Sequence, residues 1–286
     1  MSFNKLNNFS NFAPLRNKPT EECPWEGDCK KKPWEYEVTA VIPCLDTFEP
    51  LELCVRLLQL QTESPYIVIV DTGSLPEIYS KIESLRSESV EVHSLRLNGT
   101  FHPSDFPAIA MDLAFSLCRT PFLYATHADV YVKRKDFLKE LMSLCRYTSP
   151  AVGYEISPRM HEDWKGMISH TASMYYMPTM DKIGFGWSLR RLCNLFNISD
   201  SKPDPRRPCW PDTELLGNYI LKKNNIVPHL VGKEQNFKRT NDENIDHFRS
   251  YTSGKLYSNS YFKLATEWYE DARNQALERI AQWVKE

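Results

Sequence analysis

The sequence predicts an α/β protein with one domain built on a mostly parallel central sheet flanked by helices. Apolar runs of strand length alternate with helical patterns over residues 36–130. These runs are apolar almost throughout, which is typical of parallel strands that helices cover on both faces. A chain of 286 residues is long enough for one large domain of this kind or two small ones.

The first half contains the clearest alternation. We expect strands at 36–43, 66–70, 90–97 and 121–126, and helices at 50–61, from the turn at 71–74 to about residue 86, and at 107–118. The second half is less regular. It predicts helices at 136–146, 212–223 and 261–284, short strands at 151–156 and 171–177, and a polar loop at 232–244.

Composition excludes several functions. The formal net charge of −2 argues against a protein that holds nucleic acid mainly by a basic surface. Only 10 residues are Gly against 19 Pro, and no GxGxxG follows a predicted strand, which disfavours Gly-rich phosphate loops and dinucleotide-binding dehydrogenases. No apolar run approaches the length of a transmembrane segment, and the N-terminus lacks a signal-peptide profile. Eight cysteines without a CxxC pair favour reduced thiols, so we expect a cytoplasmic protein.

Acidic residues follow three of the predicted strands. Asp46, Asp71 and Asp129 stand where ligands bind in open α/β sheets, at the carboxyl ends of the strands. Any one of them can instead be a helix N-cap. Because three such carboxylates occur in one half of a domain, we expect them to converge on one binding crevice.

His127 and Asp129 form the most specific local pattern. Side chains at i and i+2 of an extended segment project to the same side, so both can reach one ion. Asp oxygens suit Mg²⁺ or Mn²⁺, and imidazole shifts the preference towards Mn²⁺ or a later transition metal. The alternative is a hydrogen-bonded structural His–Asp pair.

Five segments occur in an informative order: VTAVIPCLDT, VIVDTGS, PAIAMDLAFSLCRTPFLYATHADVYV, KIGFGW and WPDTELLGNYI. Over residues 37–250 this order resembles the nucleotide-sugar-dependent glycosyltransferases of the GT-A fold, especially family 2. The resemblance implies a Rossmann-like GT-A domain. A polar, aperiodic N-terminal arm (1–35) precedes the GT-A domain (36–255, with a nucleotide-binding half at 36–130 and an acceptor half at 131–255), and a helical apolar stripe predicts an amphipathic C-terminal helix (256–286).

The resemblance also implies roles for single residues. Pro43 and Asp46 are expected beside the nucleotide, and Asp71 is expected to bind the base. Asp129 matches the metal-binding Asp that holds the donor diphosphate through Mn²⁺ or Mg²⁺. Asp212 matches the general base of inverting members, which takes the proton from the acceptor hydroxyl.

Other positions depart from the family pattern. His127 replaces the first Asp of the metal motif, and the family's ARN segment reads Ala110-Met111-Asp112, which loses the basic residue. His127 and Asp112 are both assigned to the nucleotide-sugar site. His247 matches a late metal-binding His of some GT-A enzymes. A site of His127, Asp129 and His247 would favour Mn²⁺. The departures leave the donor and the stereochemistry, inverting or retaining, open.

Two tryptophans near Asp212 are further candidates for the nucleotide-sugar site. Trp187 and Trp210 can stack on a sugar face, with packing as the competing interpretation. For the C-terminal helix, the alternatives are packing on its own domain, a homodimer contact and shallow docking on a membrane surface.

The sequence therefore predicts a glycosyltransferase that moves a hexose from a nucleoside-diphosphate sugar to a hydroxyl acceptor with a divalent metal. Expected acceptors are a glycan, a lipid-linked sugar or a small molecule, and less so a modified nucleic acid. One alternative is a nucleotidyltransferase, although PCLDTFEP lacks the Gly and Lys of its usual loop. The other is a degenerate GT-A domain that binds a sugar nucleotide or a partner without catalysis.

Overall fold

The computed structural model describes residues 35–95, 105–156, 165–188, 213–235, 238–248 and 259–286. Its strands are β1 (Val38–Cys44), β2 (Tyr66–Asp71), β3 (Val90–Ser94), β4 (Phe122–Thr126), β5 (Val130–Val132), β6 (Ala151–Glu155), β7 (Ala172–Tyr176), β8 (His229–Lys233), β9 (Thr240–Asn241) and β10 (Ile245–His247). Its helices are α1 (Glu49–Gln59), α2 (Pro76–Glu83), α3 (Asp105–Leu117), α4 (Phe137–Tyr147), α5 (Met177–Ile183), α6 (Leu215–Lys223) and α7 (Asn259–Trp283).

The main sheet has seven strands in the order β3-β2-β1-β4-β7-β6-β8. β1 pairs in parallel with β2 and β4, and β2 pairs in parallel with β3. β7 is antiparallel to both β4 and β6, and β8 returns to a parallel pairing with β6. The predicted fold class, an α/β domain with a mostly parallel central sheet flanked by helices, is confirmed.

Helices cover both faces of this sheet. One apolar cluster joins one face to α1, α4 and α7, and includes Leu51, Leu138 and Ile280. A second cluster joins the other face to α3, α5 and α6, and includes Met111, Met180 and Leu216. Burial on both faces explains why β2 is buried along its whole length and why its sequence, YIVIVD, is so apolar.

A small antiparallel sheet, β5-β10-β9, lies beyond the end of β4. It brings together parts of the chain that are far apart in sequence, because His247 pairs with Val130 and Ile245 pairs with Val132. The sequence pattern predicts none of β5, β8, β9 and β10, and the structure places the end of β8 and all of β9 within the predicted loop 232–244. These strands have two to five residues, too few to show a reliable alternation. The predicted strand 171–177 ends at Tyr176, where α5 begins.

The C-terminal helix packs on its own domain. Its apolar stripe is buried against the rest of the fold, and consists of Tyr269, Ala272, Ala276, Ile280 and Trp283. Polar contacts on its flanks join Arg239 to Asp271 at 2.6 Å and Arg273 to Glu49 at 2.7 Å. This stripe is therefore not available to a second copy, which corrects the homodimer expectation for that face. Across the described ranges, no helix combines the length and apolar character needed to cross a membrane.

Candidate metal centre

The candidate centre lies where β4 gives way to β5. His127 and Asp129 occupy the short connection between the two strands, and main-chain contacts fix its shape. The His127 carbonyl accepts hydrogen bonds from the Val130 N–H at 3.2 Å and from the Cys54 thiol of α1 at 3.6 Å. The Phe248 N–H donates to the Asp129 carbonyl at 3.2 Å, which attaches the connection to the end of β10.

Three side chains from this region converge. Asp129 Oδ1 lies 3.9 Å from His127 Nδ1 and 3.7 Å from His247 Nε2. One potential ligand atom from each residue lies within 4.8 Å of the other two. Ligands about 2.0–2.2 Å from a common ion are about 3–4 Å apart, so the cluster has the spacing of a metal site. The antiparallel pairing of β5 and β10 creates this arrangement by placing His247 opposite Val130.

The protonation of His127 also suits a metal ligand. Burial and, to a lesser degree, the neighbouring His170 lower the pKa of His127 to about 3. The imidazole is therefore neutral at physiological pH and keeps a lone pair for a cation. The ring presents Nδ1 to Asp129 Oδ1 at 3.9 Å, so a ligand role requires the lone pair on that nitrogen. These residues fit a divalent ion.

Further buried ionisable groups surround the cluster. The His170 ring stands edge-on to His127, with ring centroids 4.3 Å apart. Glu214 Oε1 lies 2.8 Å from His170 Nδ1, and both side chains are 6% exposed. Glu234 Oε1 lies 4.0 Å from His247 Nδ1. The described environment of the cluster thus carries carboxylates on both sides, which favours a cation at its centre.

These three surrounding residues were missed in the sequence analysis. Glu214 stood within the quoted segment WPDTELLGNYI, two positions after Asp212, and could have been singled out there. Glu234 follows directly after β8, a strand that the sequence did not reveal. His170 precedes β7 with no pattern that marks it.

Asp71 is placed at the end of β2 but points into its own turn. The carboxylate is fully buried and accepts hydrogen bonds from the Ser74 hydroxyl, from the Ser74 N–H at 3.1 Å and from the Gly73 N–H at 3.4 Å. Gly73 has φ +117°, which favours glycine there. Asp71 therefore shapes the turn, and its contact with a base remains a prediction.

Asp46 completes the same turn. Its φ of +49° is left-handed, its N–H donates to Ser74 Oγ at 2.7 Å, and its Oδ1 accepts from the Leu75 N–H at 2.8 Å. Pro43 lies beside it in β1, paired in register with Val70. Both residues thus stand at the carboxyl ends of parallel strands, as predicted, and their nucleotide-binding role stays a prediction.

Asp112 and Trp187 contact each other. Asp112 Oδ1 accepts a hydrogen bond of 2.8 Å from the Trp187 N–H. The Trp187 ring is 1% exposed and packs edge-on against Phe115, Tyr175 and Phe185. With no exposed face left for stacking on a sugar, Trp187 is a core residue, which corrects its assignment. The other two assigned residues, Trp210 and Asp212, lie outside the described residues.

Three solved structures of transferases and related proteins show partial similarity to this chain, each at low sequence identity. A mannosyltransferase from Pyrobaculum calidifontis in complex with GDP-Man and Mn²⁺ matches at 14% identity and TM-score 0.49, over 98% of this chain and 81% of that one. TarS 1–349 from S. aureus matches at 14% identity and TM-score 0.43, over 53% of this chain and 50% of that one. Glucosyl-3-phosphoglycerate synthase from Mycobacterium tuberculosis in complex with Mn²⁺, UDP-Glc and phosphoglyceric acid matches at 11% identity and TM-score 0.38, over 51% and 58%.

The match thus spans only half the length of TarS 1–349. No family model matches the sequence. No curated protein matches it either.

Proposed function

We propose that this chain is a metal-dependent glycosyltransferase that moves a hexose from a nucleoside-diphosphate sugar to a hydroxyl acceptor. The observation that carries the proposal is the cluster of His127, Asp129 and His247 at the carboxyl end of β4. Ligands of open α/β sheets bind at this edge, and the cluster follows β4, whose parallel neighbour in the sheet is β1. The quoted motif order, which resembles GT-A glycosyltransferases, supports the same reading.

The donor set of the cluster favours Mn²⁺ over Mg²⁺. Magnesium prefers oxygen ligands and keeps several waters, whereas two imidazoles with one carboxylate suit Mn²⁺ or a later ion. A bound divalent ion would stabilise the negative charge that develops on the leaving nucleoside diphosphate. Asp129 would supply the charged ligand of this ion, and the imidazoles of His127 and His247 would supply the others.

The chain's own residues have two further tasks in this proposal. Pro43, Asp46 and the turn held by Asp71 offer a rigid edge for the nucleotide, because main-chain hydrogen bonds fix it before a ligand binds. Asp212 takes the proton of the acceptor hydroxyl while that oxygen attacks the anomeric carbon and the bond to the diphosphate breaks. This step keeps the general-base assignment that the motif resemblance implies.

A panel of donors with Mn²⁺ tests the proposal. The panel contains UDP-glucose, UDP-N-acetylglucosamine, GDP-mannose and the corresponding free nucleotides, and the measurements are thermal stabilisation and slow hydrolysis of the donor. We expect one nucleotide class to stabilise the protein only when Mn²⁺ is present, and its sugar donor to be hydrolysed. Stabilisation by none of them would contradict the proposal.

Two variants separate the possible outcomes. Asp129→Ala is expected to abolish the Mn²⁺-dependent stabilisation by nucleotide. Asp212→Asn is expected to keep donor binding and lose hydrolysis and transfer. If the wild type binds the donor but neither hydrolyses it nor transfers its sugar to any of the glycan, lipid-linked and small-molecule acceptors, the result would instead support a degenerate domain. Release of pyrophosphate from a nucleoside triphosphate and a sugar phosphate would support a nucleotidyltransferase.

A further inference from the structure

Glu234 is a buried carboxylate beside the metal cluster that no motif assigns to it. It follows β8 directly and is 3% exposed. The Ser169 hydroxyl donates to Glu234 Oε1 at 2.7 Å, and the Glu234 N–H donates to the Glu155 carbonyl at 3.0 Å. Both ends of the residue are therefore held in place.

His247 stands between this carboxylate and the metal cluster. The two ring nitrogens point to opposite sides: Nε2 is 3.7 Å from Asp129 Oδ1, and Nδ1 is 4.0 Å from Glu234 Oε1. His247 itself is 4% exposed, so bulk water has little access to either nitrogen. One imidazole thus joins a candidate metal ligand to a second, buried carboxylate.

We propose that Glu234 is a positioning residue for the metal centre. It accepts the Nδ1–H of His247, so that Nε2 keeps its lone pair and faces the ion that Asp129 and His127 also bind. The separation of 4.0 Å exceeds a hydrogen bond, so the proposed contact requires a small shift of one of the two side chains. Metal-binding histidines in proteins usually donate their second N–H in this way, which fixes the tautomer and raises ligand basicity.

Ser169 extends this arrangement outward. Its hydroxyl accepts from the Thr171 N–H at 3.1 Å and donates its own proton to Glu234. Ser169 and Glu234 are both buried, so the carboxylate oxygen is orientated before any ion arrives. The proposal rests on the metal site of the proposed function, but it concerns a residue whose contribution can be measured separately.

The test is Mn²⁺ affinity of the purified full chain, measured by electron paramagnetic resonance of the free ion. Glu234→Gln keeps the size of the side chain and removes its charge, and we expect its Mn²⁺ affinity to fall by about tenfold. Glu155→Gln is the matched control, because Glu155 lies on the neighbouring strand and its carboxylate contacts Lys233 and Gly166 instead. We expect the control to bind Mn²⁺ within about twofold of the wild type.

A second measurement separates positioning from general structural damage. In Co²⁺-substituted protein, a changed His247 ligand alters the visible absorption band of the ion. We expect Glu234→Gln to shift this band while the metal-free unfolding temperature stays close to that of the wild type. Glu234→Asp keeps the charge on a shorter side chain and is expected to recover part of the affinity.

A His247→Ala variant distinguishes failure of this inference from failure of the proposed function. Loss of Mn²⁺ affinity in both His247→Ala and Glu234→Gln, with the shifted Co²⁺ band, supports the role of Glu234. Loss in His247→Ala alone overturns the role of Glu234 and leaves the metal site standing. Unchanged affinity in both variants overturns the metal site and the role of Glu234 together.

Discussion

Asp71 and Asp129 are both buried carboxylates at the same edge of the sheet, yet their surroundings differ. Asp71 accepts hydrogen bonds from two main-chain N–H groups and a hydroxyl of its own turn. Asp129 Oδ1 instead faces two imidazole nitrogens at 3.7 and 3.9 Å, beyond hydrogen-bond length. One carboxylate completes a turn, and the other is spaced for an ion. An acidic residue at a strand end therefore gains its role from what surrounds it.

Each of these regions also contains a serine that donates its hydroxyl to a buried carboxylate. Ser74 donates to Asp71, within the turn of residues 71–74. Ser169 donates to Glu234, next to the metal cluster. The comparison predicts that variants in the turn lower the free energy of unfolding, whereas variants around the metal cluster lower metal affinity.

The largest effect is expected from Asp129→Ala. Asp129 is the carboxylate of the three-residue cluster, and its loss leaves two imidazoles without a charged ligand. Since loss of an outer partner of a metal ligand already costs roughly 10- to 100-fold in affinity, we expect Mn²⁺ affinity to fall more than about 100-fold, which is about 2.7 kcal/mol. Titration with Mn²⁺ measures the affinity.

Stabilisation of the folded protein by Mn²⁺ provides a second measurement on Asp129→Ala, and it tests whether the ion binds at the metal cluster. The wild type should gain stability with rising Mn²⁺ and the variant should not. Equal stabilisation of both by Mn²⁺ would show that the ion binds elsewhere.

The sequence predicted the parallel strands and the pair of His127 and Asp129 better than the contact of His247 with Asp129. The strands β1 to β4 lie within a few residues of their predicted positions, because long apolar runs mark buried parallel strands. His127 and Asp129 were recognised together because their contact depends only on local alternation. The contact of His247 with Asp129 needs the pairing of β5 and β10, two three-residue strands whose partners are distant in sequence. No local pattern predicts such a pairing, although the motif resemblance selected His247.

Missing information about tertiary packing also explains why Trp187 was assigned to the site and why Glu234 was not. Trp187 was selected for its aromatic ring near a candidate catalytic residue, but composition alone cannot show which way a ring faces. The ring packs with Phe115, Tyr175 and Phe185, and only its main-chain N–H reaches Asp112. Glu234 could not be found because its strand was not recognised.

The next effect in size is a loss of stability in Asp71→Ala. The substitution removes an acceptor that serves the Ser74 hydroxyl and two main-chain N–H groups. Hydrogen bonds to charged groups contribute roughly 1.5–3 kcal/mol, so we expect unfolding in urea to become easier by about 2.5 kcal/mol. Asp136→Ala is the control, because its side chain is 61% exposed and its loss should change stability by less than about 0.5 kcal/mol.

Mn²⁺ affinity completes the test of Asp71→Ala. We expect the variant to bind the ion within about twofold of the wild type under conditions where it is folded, since Asp71 has no contact with the cluster. A loss comparable to that of Asp129→Ala would mean that the turn and the metal cluster form one cooperative unit, and that the contrast between them is wrong.

Ser74→Ala tests a single contact of the turn. The hydroxyl donates to Asp71 and accepts from the Asp46 N–H at 2.7 Å, so its removal affects both acidic residues. We expect the free energy of unfolding to fall by about 1.5 kcal/mol. Ser84→Ala is the comparison, because that hydroxyl donates to the Lys81 carbonyl at an exposed helix end. An equal loss in the two variants would remove the special role of the turn.

Ser169→Ala is the counterpart of Ser74→Ala and is expected to have the smallest effect. The hydroxyl acts on the metal only through Glu234 and His247, so each step reduces its contribution. We expect Mn²⁺ affinity to fall about threefold, or about 0.7 kcal/mol. Ser74→Ala should leave the affinity unchanged, although both substitutions remove a hydroxyl from a buried carboxylate.

The double variant Ser169→Ala/Glu234→Gln shows whether the effect follows this route. If Ser169 acts by orienting Glu234, the double variant binds Mn²⁺ no more weakly than Glu234→Gln alone, because the serine then has no carboxylate to orient. Independent effects would multiply, giving a loss of about 30-fold instead of about tenfold. A multiplied loss would mean that Ser169 affects the cluster by general packing. The non-additive result would instead link Ser169, Glu234 and His247 as one chain of contacts that ends at the ion.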